Sequence, residues 1–597
     1  MAGPKCIRAG RLQRGAALLV LLVVVVLGAS WFLVSRTSAL SAGIFTASNR
    51  NHNALVLSQA KQALIGYVAM NAAQSGENNP GRFPCPEGAA LVGTSAEGIS
   101  APYVGPPNAP TCATVGRLPW RTLGLDKLVD SSAEPLWYVV SPGWQLVTST
   151  TTLTINSNTI GQLNVDGQAN AAVALIIAPG PAMNVAASAG CTARNQARSA
   201  PAPTMDARDY LECFNTGTST FATTGPTTSF NDQVVRITVA DVMPGIEAAI
   251  ASRVEREIAP LLRGVYATSS WGANVSAGNP VYPFAAPFAD PSLTASYQGG
   301  SASCAGGVCK GLLPVTFSNA AGTSTPCTPS AGSPCDPTFV RWVSPPAPVF
   351  TRTGGATLRS ANCSVLAASV DCSVMASVPV LGAGTSMNFT LAATADKVGM
   401  ALRKFDTTVA MTGIDPAGRS IVVPPTAMAL DGSVRVILSG SIPISGGNLI
   451  SDALCTLLGL TCYQMNISMP ITLLADHPVL NSTDPVTGWF MRNEWYRVLY
   501  YAAAQTTTPA ALPTAPACTP GTNCVTVSNL TPANNKRAIL ILTGRSINAS
   551  ARPSGTLADY LEFGNATGSF ERQPVSTAVD AALKKPFNDR VVVVDVN

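Results

Sequence analysis

Arg11-Leu-Gln-Arg14-Gly15-Ala16-Ala-Leu-Leu-Val20 opens the stretch on which the reading of this chain turns. Ahead of Gly15 stand Lys5, Arg8, Arg11 and Arg14, with no acidic residue among them. Behind it, the nineteen residues from Ala16 to Val34 carry no charge. At about 1.5 Å per residue, a helix of that length reaches about 28 Å, enough to cross the hydrocarbon of a bilayer. A cationic head followed by an apolar run keeps the head cytoplasmic and sends the rest across. Residues 16–35 are therefore expected to be a transmembrane segment.

Working outward, the sequence stays free of proline and compatible with a helix from Val34 to Ala73. Leu57, Leu64, Ile65 and Val68 keep one apolar stripe, and Gly76, Asn78, Asn79 and Pro80-Gly81 end it. A helix from Ala16 to Ala73 would be about 85 Å long, with its first half in lipid and its second half packed on a head.

Arg14-Gly15 followed directly by Ala16-Ala-Leu-Leu-Val20 resembles the class III leader of type IV prepilins and type II secretion pseudopilins. The resemblance implies that a prepilin peptidase cuts between Gly15 and Ala16 and that the helix is retained. It implies an inner-membrane, single-pass protein with a cytoplasmic N-terminus and a periplasmic ectodomain, reaching the cell surface if assembled into a pilus. Most members carry glutamate at the fifth mature position, where this chain has Val20. Tip-type subunits also lack it. The assembly face would then include Val20, Leu21 and Val24, meeting the helices of other pilins or pseudopilins. A second series sharpens the likeness: Ala63-Leu-Ile-Gly-Tyr67, Arg82-Phe-Pro-Cys-Pro86 and Leu118-Pro-Trp-Arg-Thr-Leu-Gly124, in that order. It is similar to prepilin-like proteins with large periplasmic heads. The rival is an ordinary signal anchor.

The length of 597 residues allows three or four domains. Only 12% of residues are charged and the mean hydropathy is +0.25, which one membrane segment cannot explain. Ala, Val, Thr, Ser, Gly and Pro dominate, as in short strands joined by turns. The leader carries four of the five net positive charges, and no basic patch points to nucleic acid. Cys6 lies in the leader. The other cysteines fall into sequence neighbours: Cys85/Cys112, Cys191/Cys213, Cys304/Cys309, Cys327/Cys335, Cys363/Cys372, Cys455/Cys462 and Cys518/Cys524. In an exported chain they read as disulfides whose connectivity the sequence leaves open. Zinc at Cys304, Cys309 and Cys327 is the rival, without a histidine nearby.

An internal duplication organises the rest. Ala172-Val-Ala-Leu-Ile-Ile-Ala178, Asp209-Tyr-Leu-Glu212-Cys-Phe-Asn215 and Phe230-Asn-Asp-Gln-Val-Val235 recur as Arg537-Ala-Ile-Leu-Ile-Leu542, Asp559-Tyr-Leu-Glu562-Phe-Gly-Asn565 and Phe587-Asn-Asp-Arg-Val-Val592. The offsets are roughly 350–365 residues and the order is kept. An amphipathic helix expected at 245–266, kinked at Pro260, heads the second copy. Tyr282-Pro-Phe-Ala-Ala-Pro287 and Gly311-Leu-Leu-Pro314 stand where Arg82-Phe-Pro-Cys-Pro86 and Gly116-Arg-Leu-Pro119 stood. The expected fold class is α+β: a long transmembrane spine helix and two pilin-like head modules, the second interrupted by a β-sandwich-like insert. The expected boundaries are 1–15 leader, 16–35 membrane segment, 36–243 first module, 244–314 with 486–597 second module, and 315–485 insert. Within the insert, strands are expected at 386–394, 420–423 and 432–438, and 396–404 also admits a helix.

For chemistry, the chain has only His52 and His477, and neither has a nucleophile or metal constellation around it. A Gly-x-Ser-x-Gly elbow and a phosphate loop are missing from the sequence. No catalytic residue is expected. Asp209, Glu212 and Asn215, with their copies Asp559, Glu562 and Asn565, offer hard oxygen ligands in loops and are candidate calcium ligands. Several pseudopilins bind calcium in late head loops, so the resemblance points the same way. Asp232 and Asp589 read as turn residues. The function expected is a minor pilin- or pseudopilin-like subunit at the tip or start of a filament; the alternative is a membrane-anchored adhesin or binding protein using the β-rich insert.

Overall fold

The computed structural model describes residues 48–597 with interruptions, the longest being 101–111, 267–281, 319–341 and 505–517. The chain forms two compact units. The first comprises Met1–Gly66, Phe83–Gln145 and Gly161–Thr238; the second comprises Tyr67–Arg82, Leu146–Ile160 and Val239–Asn597.

Helix α1 covers 48–73. Asn53, Leu57, Ala60, Leu64, Val68 and Ala72 are buried at steps of three or four residues, so one face packs and the other meets water. The helix stops where expected: Gly76 takes φ +82°, a left-handed conformation that only glycine adopts without strain.

The sheet of the first unit is an antiparallel meander of β1 (Val115–Arg117), β2 (Trp137–Val140), β3 (Ala174–Ala178) and β4 (Gln233–Ile237). Gly116, Tyr138, Ile176 and Val235 stand in register across it. Every residue of β2 and β3 is buried, as the β-branched and aromatic content demands of central strands. Trp137, Leu175 and Ile177 pack with Leu163, Tyr210 and Phe221 below.

In the second unit α2 (Val239–Arg253) continues through a π turn at Val254–Ile258 into α3 (Ala259–Tyr266). Pro260 has no N–H to give, and the expected kink takes the form of this widened turn immediately before it. Arg253 lies fully buried beneath the helix. Its Nη2 is 3.1 Å from Glu257 Oε2, its Nη1 donates to Glu77 O at 2.9 Å, and its guanidinium covers the Trp489 ring at 4.0 Å. Trp489 Nε1 donates to the same Glu257 oxygen at 2.8 Å, so the pair is closed on all sides.

The sheet of this unit is β5 (Cys304–Ala305), β6 (Val308–Leu312), β7 (Leu499–Ala504), β8 (Lys536–Leu542) and β9 (Arg590–Val596), again antiparallel throughout. Gly311, Tyr501, Leu540 and Val592 stand in register, repeating the pattern of the first unit. The repeated glycine has one physical reason in both places. A Cβ on Gly116 would meet Glu87 O and Pro86 Cβ, and one on Gly311 would meet Ala286 O. At both sites a proline-containing strap crosses against the strand, bridging Glu87 to Arg117 and Ala286 to Leu312.

The residues between β6 and β7 leave and return on a two-strand stem. Thr316–Ser318 pairs with the end of Thr461–Asp476, and His477 N donates to Val315 O at 3.2 Å. Beyond the stem, Thr461–Asp476 is the hub of an eight-stranded sheet, pairing with Ser369–Val378, Leu402–Thr407, Val409–Thr412 and Asn448–Ile450. A four-stranded sheet has the order Trp342–Thr353, Ser386–Ala395, Arg435–Pro443, Ala427–Asp431. Where 396–404 admits a helix, Leu402–Thr407 is a strand, because pairing with the hub overrides local helix propensity.

Two expectations need correction. Among the described residues the fold is mixed α+β in which antiparallel sheets predominate and helices are few, and this replaces the expected transmembrane spine helix with its pilin-like heads and β-sandwich-like insert. Among the described residues, no helix is long and apolar enough to cross a membrane. The physical reason is that α1 and α2–α3 are amphipathic: α1 exposes Arg50 and α2–α3 exposes Glu255 and Arg256 opposite their buried faces. A single-pass inner-membrane location is accordingly not supported. Gly15, Ala16, Val20, Leu21 and Val24 lie outside the described residues.

Disulfides join Cys85 to Cys112, Cys363 to Cys372 and Cys518 to Cys524. Cys309 and Cys462 are disulfide-bonded as well, and Cys304 stands opposite Cys309 in the β5–β6 register. Cys191, Cys213, Cys327, Cys335 and Cys455 lie outside the described residues.

Candidate functional site

The loop after the central strand, the Asp-Tyr-Leu-Glu turn and the Phe-Asn-Asp entry to the last strand converge in each unit. The three sequence signals of the duplication are therefore one site, built twice. In the first unit Asp232 Oδ2 accepts from Glu212 N at 3.1 Å and from Asn215 Nδ2 at 2.9 Å. Glu212 Oε2 answers by accepting from Asn231 N and Asp232 N, both at 3.0 Å. Asn215 Oδ1 accepts from Ala222 N at 3.0 Å. Asn231 Nδ2 donates to Pro181 O at 2.7 Å, tying in the loop after β3.

The second unit repeats each bond. Asp589 Oδ2 accepts from Glu562 N at 2.9 Å and Asn565 Nδ2 at 3.0 Å. Glu562 Oε2 accepts from Asn588 N and Asp589 N, both at 3.2 Å. Asn565 Oδ1 accepts from Glu571 N at 2.9 Å, and Asn588 Nδ2 donates to Arg545 O at 2.7 Å. Glu212, Asn215, Asp232, Asn565 and Asp589 are all buried, and each would be costly to bury without partners. The arrangement is a latch: a carboxylate and an amide satisfy backbone N–H groups of a loop that no strand can reach.

The environment sets the protonation. Burial, then the neighbouring Glu212 charge, holds the Asp232 carboxyl well above the usual carboxylate range. Burial and Glu562 do the same to Asp589, and burial raises Glu562 itself. Two carboxyl groups this close in a dry site cannot both ionise freely, so the neutral form of the aspartic acid is favoured. Oδ1 of Asp232 and of Asp589 is buried without a hydrogen-bond partner.

Tyr210 and Tyr560 sit beneath arginines. Arg198 lies 5.3 Å and Arg117 5.6 Å from the Tyr210 ring, and Arg552 lies 4.6 Å from the Tyr560 ring. The outer acids differ between the copies. Asp209 is ion-paired with Arg194 at 2.6 Å, whereas Asp559 accepts from Ser554 Oγ.

Comparison with protein-family models, with curated proteins and with solved structures finds no match.

Of the six candidate calcium ligands, Glu212 with Asn215 and Glu562 with Asn565 are brought together around Asp232 and Asp589, while Asp209 and Asp559 pair instead with Arg194 and Ser554; the latch oxygens face N–H groups. A cation approaching the latch would meet the positive ends of those dipoles. Among the described residues, no group of three or more His, Cys, Asp or Glu is placed to hold a metal. Asp232 and Asp589, read from sequence as turn residues, are the centre of each latch. Their signal was present: the same Phe-Asn-Asp run stands at the entry of the last strand in both units.

The histidines are placed apart. His52 Nε2 lies 3.1 Å from Val129 O. His477 is buried, and its Nδ1 accepts from Val479 N and Leu480 N at 3.2 Å. Burial pushes its pKa down to about 3, so it is neutral. One further acid went unread in the sequence. Glu247 of α2 is buried and accepts from Arg545 N at 2.7 Å. Burial raises its pKa to about 7, against the pull of Ser157, Arg590 and the Arg545 residue.

Proposed function

We propose that this chain is a structural subunit of the minor pilin or pseudopilin type, acting at the tip or at the start of a filament and performing no chemistry of its own. The observation that carries the reading is the duplicated latch. In both units the repeated acidic and amide side chains are used to close backbone loops, a structural role that rigidifies the fold. The prepilin-like junction at Gly15-Ala16 and the disulfides, which suit an oxidising compartment, support it. In this reading a prepilin peptidase cuts after Gly15, and the apolar residues around Val20, Leu21 and Val24 meet other pilins or pseudopilins. Val20 offers no carboxylate to the N-terminal amine of a preceding subunit, so the chain needs none ahead of it.

The test is the mature N-terminus. Co-expression with a prepilin peptidase should yield a chain that begins at Ala16 by intact-mass and N-terminal peptide analysis. A chain begun beyond Trp31, or left uncut, sinks the proposal.

A further inference from the structure

A cleft of about 650 Å³ opens in the second unit, within the size range of ligand sites. One wall is 589–592, which is Asp589 and the first three residues of β9. Successive side chains of a strand point to opposite faces, so four consecutive residues can line one cleft only along the strand's edge. β9 is the last strand of its sheet, and among the described residues no strand lies beyond that edge. The opposite wall is 572–575, again four consecutive residues. The floor is Ala248, Ala251, Ser252 and Glu255, one helical stripe made mostly of small residues.

The two walls begin as a pair. Ser576 and Phe587 form an antiparallel bridge, each donating its N–H to the other's carbonyl at 2.8 Å. The ladder then fails. Pro574 has no N–H to continue it, and Arg572 N turns away to donate to Ser528 O at 3.1 Å. Between the diverging walls lies a slot floored by alanine, with Asp589 Oδ1 buried and unpartnered at one end. The first unit differs at the matching strand, where Lys61 Nζ donates to Arg236 O at 3.2 Å.

Charge narrows the occupant. Arg572 is exposed on one wall and Arg590 lies on the other. Arg590 is steadied by Pro244 O at 3.1 Å and by the charge of Glu247 behind it. Glu255 on the floor is the opposing charge.

We propose that this slot binds an extended peptide segment as an added strand on β9, with an acidic side chain of the peptide set between Arg572 and Arg590. Backbone hydrogen bonds to the open edge would supply affinity, and the two arginines the choice of sequence. The inference stands apart from the filament reading, since it needs only the folded second unit.

The test is fluorescence anisotropy of the purified full-length chain with fluorescein-labelled TVTETVT, TVTKTVT and TVPETPT. The acidic peptide should bind, the lysine peptide should bind about tenfold more weakly or worse, and the proline peptide, unable to donate, should not bind. Ala251→Phe should fill the slot and abolish binding. Arg572→Glu, a surface change that leaves the fold untouched, should invert the preference between glutamate and lysine. Slowed amide exchange at Val591–Val593 on adding TVTETVT would place the peptide on β9. Absence of binding by the acidic peptide, equal binding of all three, or unchanged preference in Arg572→Glu overturns the proposal.

Discussion

At the scale of single residues, the latch makes sharp demands on Asp232 and Asp589. Asp589→Ala strips partners from Glu562 N and Asn565 Nδ2 in a dry site and should cost about 3 kcal/mol, read as a lowered urea midpoint. Asp589→Asn keeps an accepting oxygen and mimics the neutral acid, so it should cost under about 1 kcal/mol. Equal losses in the two variants would show that the protonated form is not the native one. Glu247 gives a pH signature. Its folded pKa of about 7 is above that of an unfolded glutamate, so the native chain holds the proton more tightly. The associated stability is full below the unfolded value and is lost as pH rises through about 7. The urea midpoint of Glu247→Gln, measured relative to wild type, should therefore improve from pH 5 to pH 8. His477 acts with the opposite sign: with a folded pKa of about 3, it lets stability fall as pH drops below the unfolded histidine range. Little of this was legible in the sequence. The repeated Asp, Glu and Asn were visible, but their oxygens read as cation ligands because composition shows donors of hard oxygen and hides the backbone N–H groups that claim them.

At the scale of elements, the sequence was more informative. The stripe and stop of α1, the all-buried central strands and the glycine in each Gly-x-Leu-Pro strand follow from local pattern, since burial periodicity and backbone approach are encoded position by position. Gly311→Val should force the strap off β6 and cost about 2–3 kcal/mol, while the same change at exposed, uncrowded Gly66 should cost under about 1.5 kcal/mol. What the pattern missed was long-range. The strand at 402–407 depends on a hub strand distant in sequence, at Thr461–Asp476, and the buried Arg253–Glu257–Trp489 cluster joins two elements farther apart still along the chain. Arg253→Ala leaves Glu257 buried without its charge partner and should lose about 3–5 kcal/mol by urea denaturation. Arg253→Lys should recover little, because ammonium cannot stack on the indole and fork to Glu257 together.

At the scale of the whole chain, duplication was legible because three motifs recur in order, and the four-strand registers repeat with them. The apolar N-terminal run misled the fold class: it is one short stretch, and the sheets that set the architecture are written in many weak alternations. The stem at Val315–His477 carries its own expectation. Because β6 and β7 are already neighbours, replacing 319–473 with a short Gly/Ser linker should leave the second unit's unfolding midpoint within about 5 °C of the parent's, measured by near-ultraviolet circular dichroism. Loss of the cooperative transition would mean the hub strand is needed to build the sheet. The cystine links have a last consequence. Those at Cys85–Cys112, Cys363–Cys372 and Cys518–Cys524 close spans of 27, 9 and 6 residues, each contained within a stretch that emerges almost at once during synthesis. At each of these three links the correct partner arrives before the next thiol appears, which leaves an isomerase little work there.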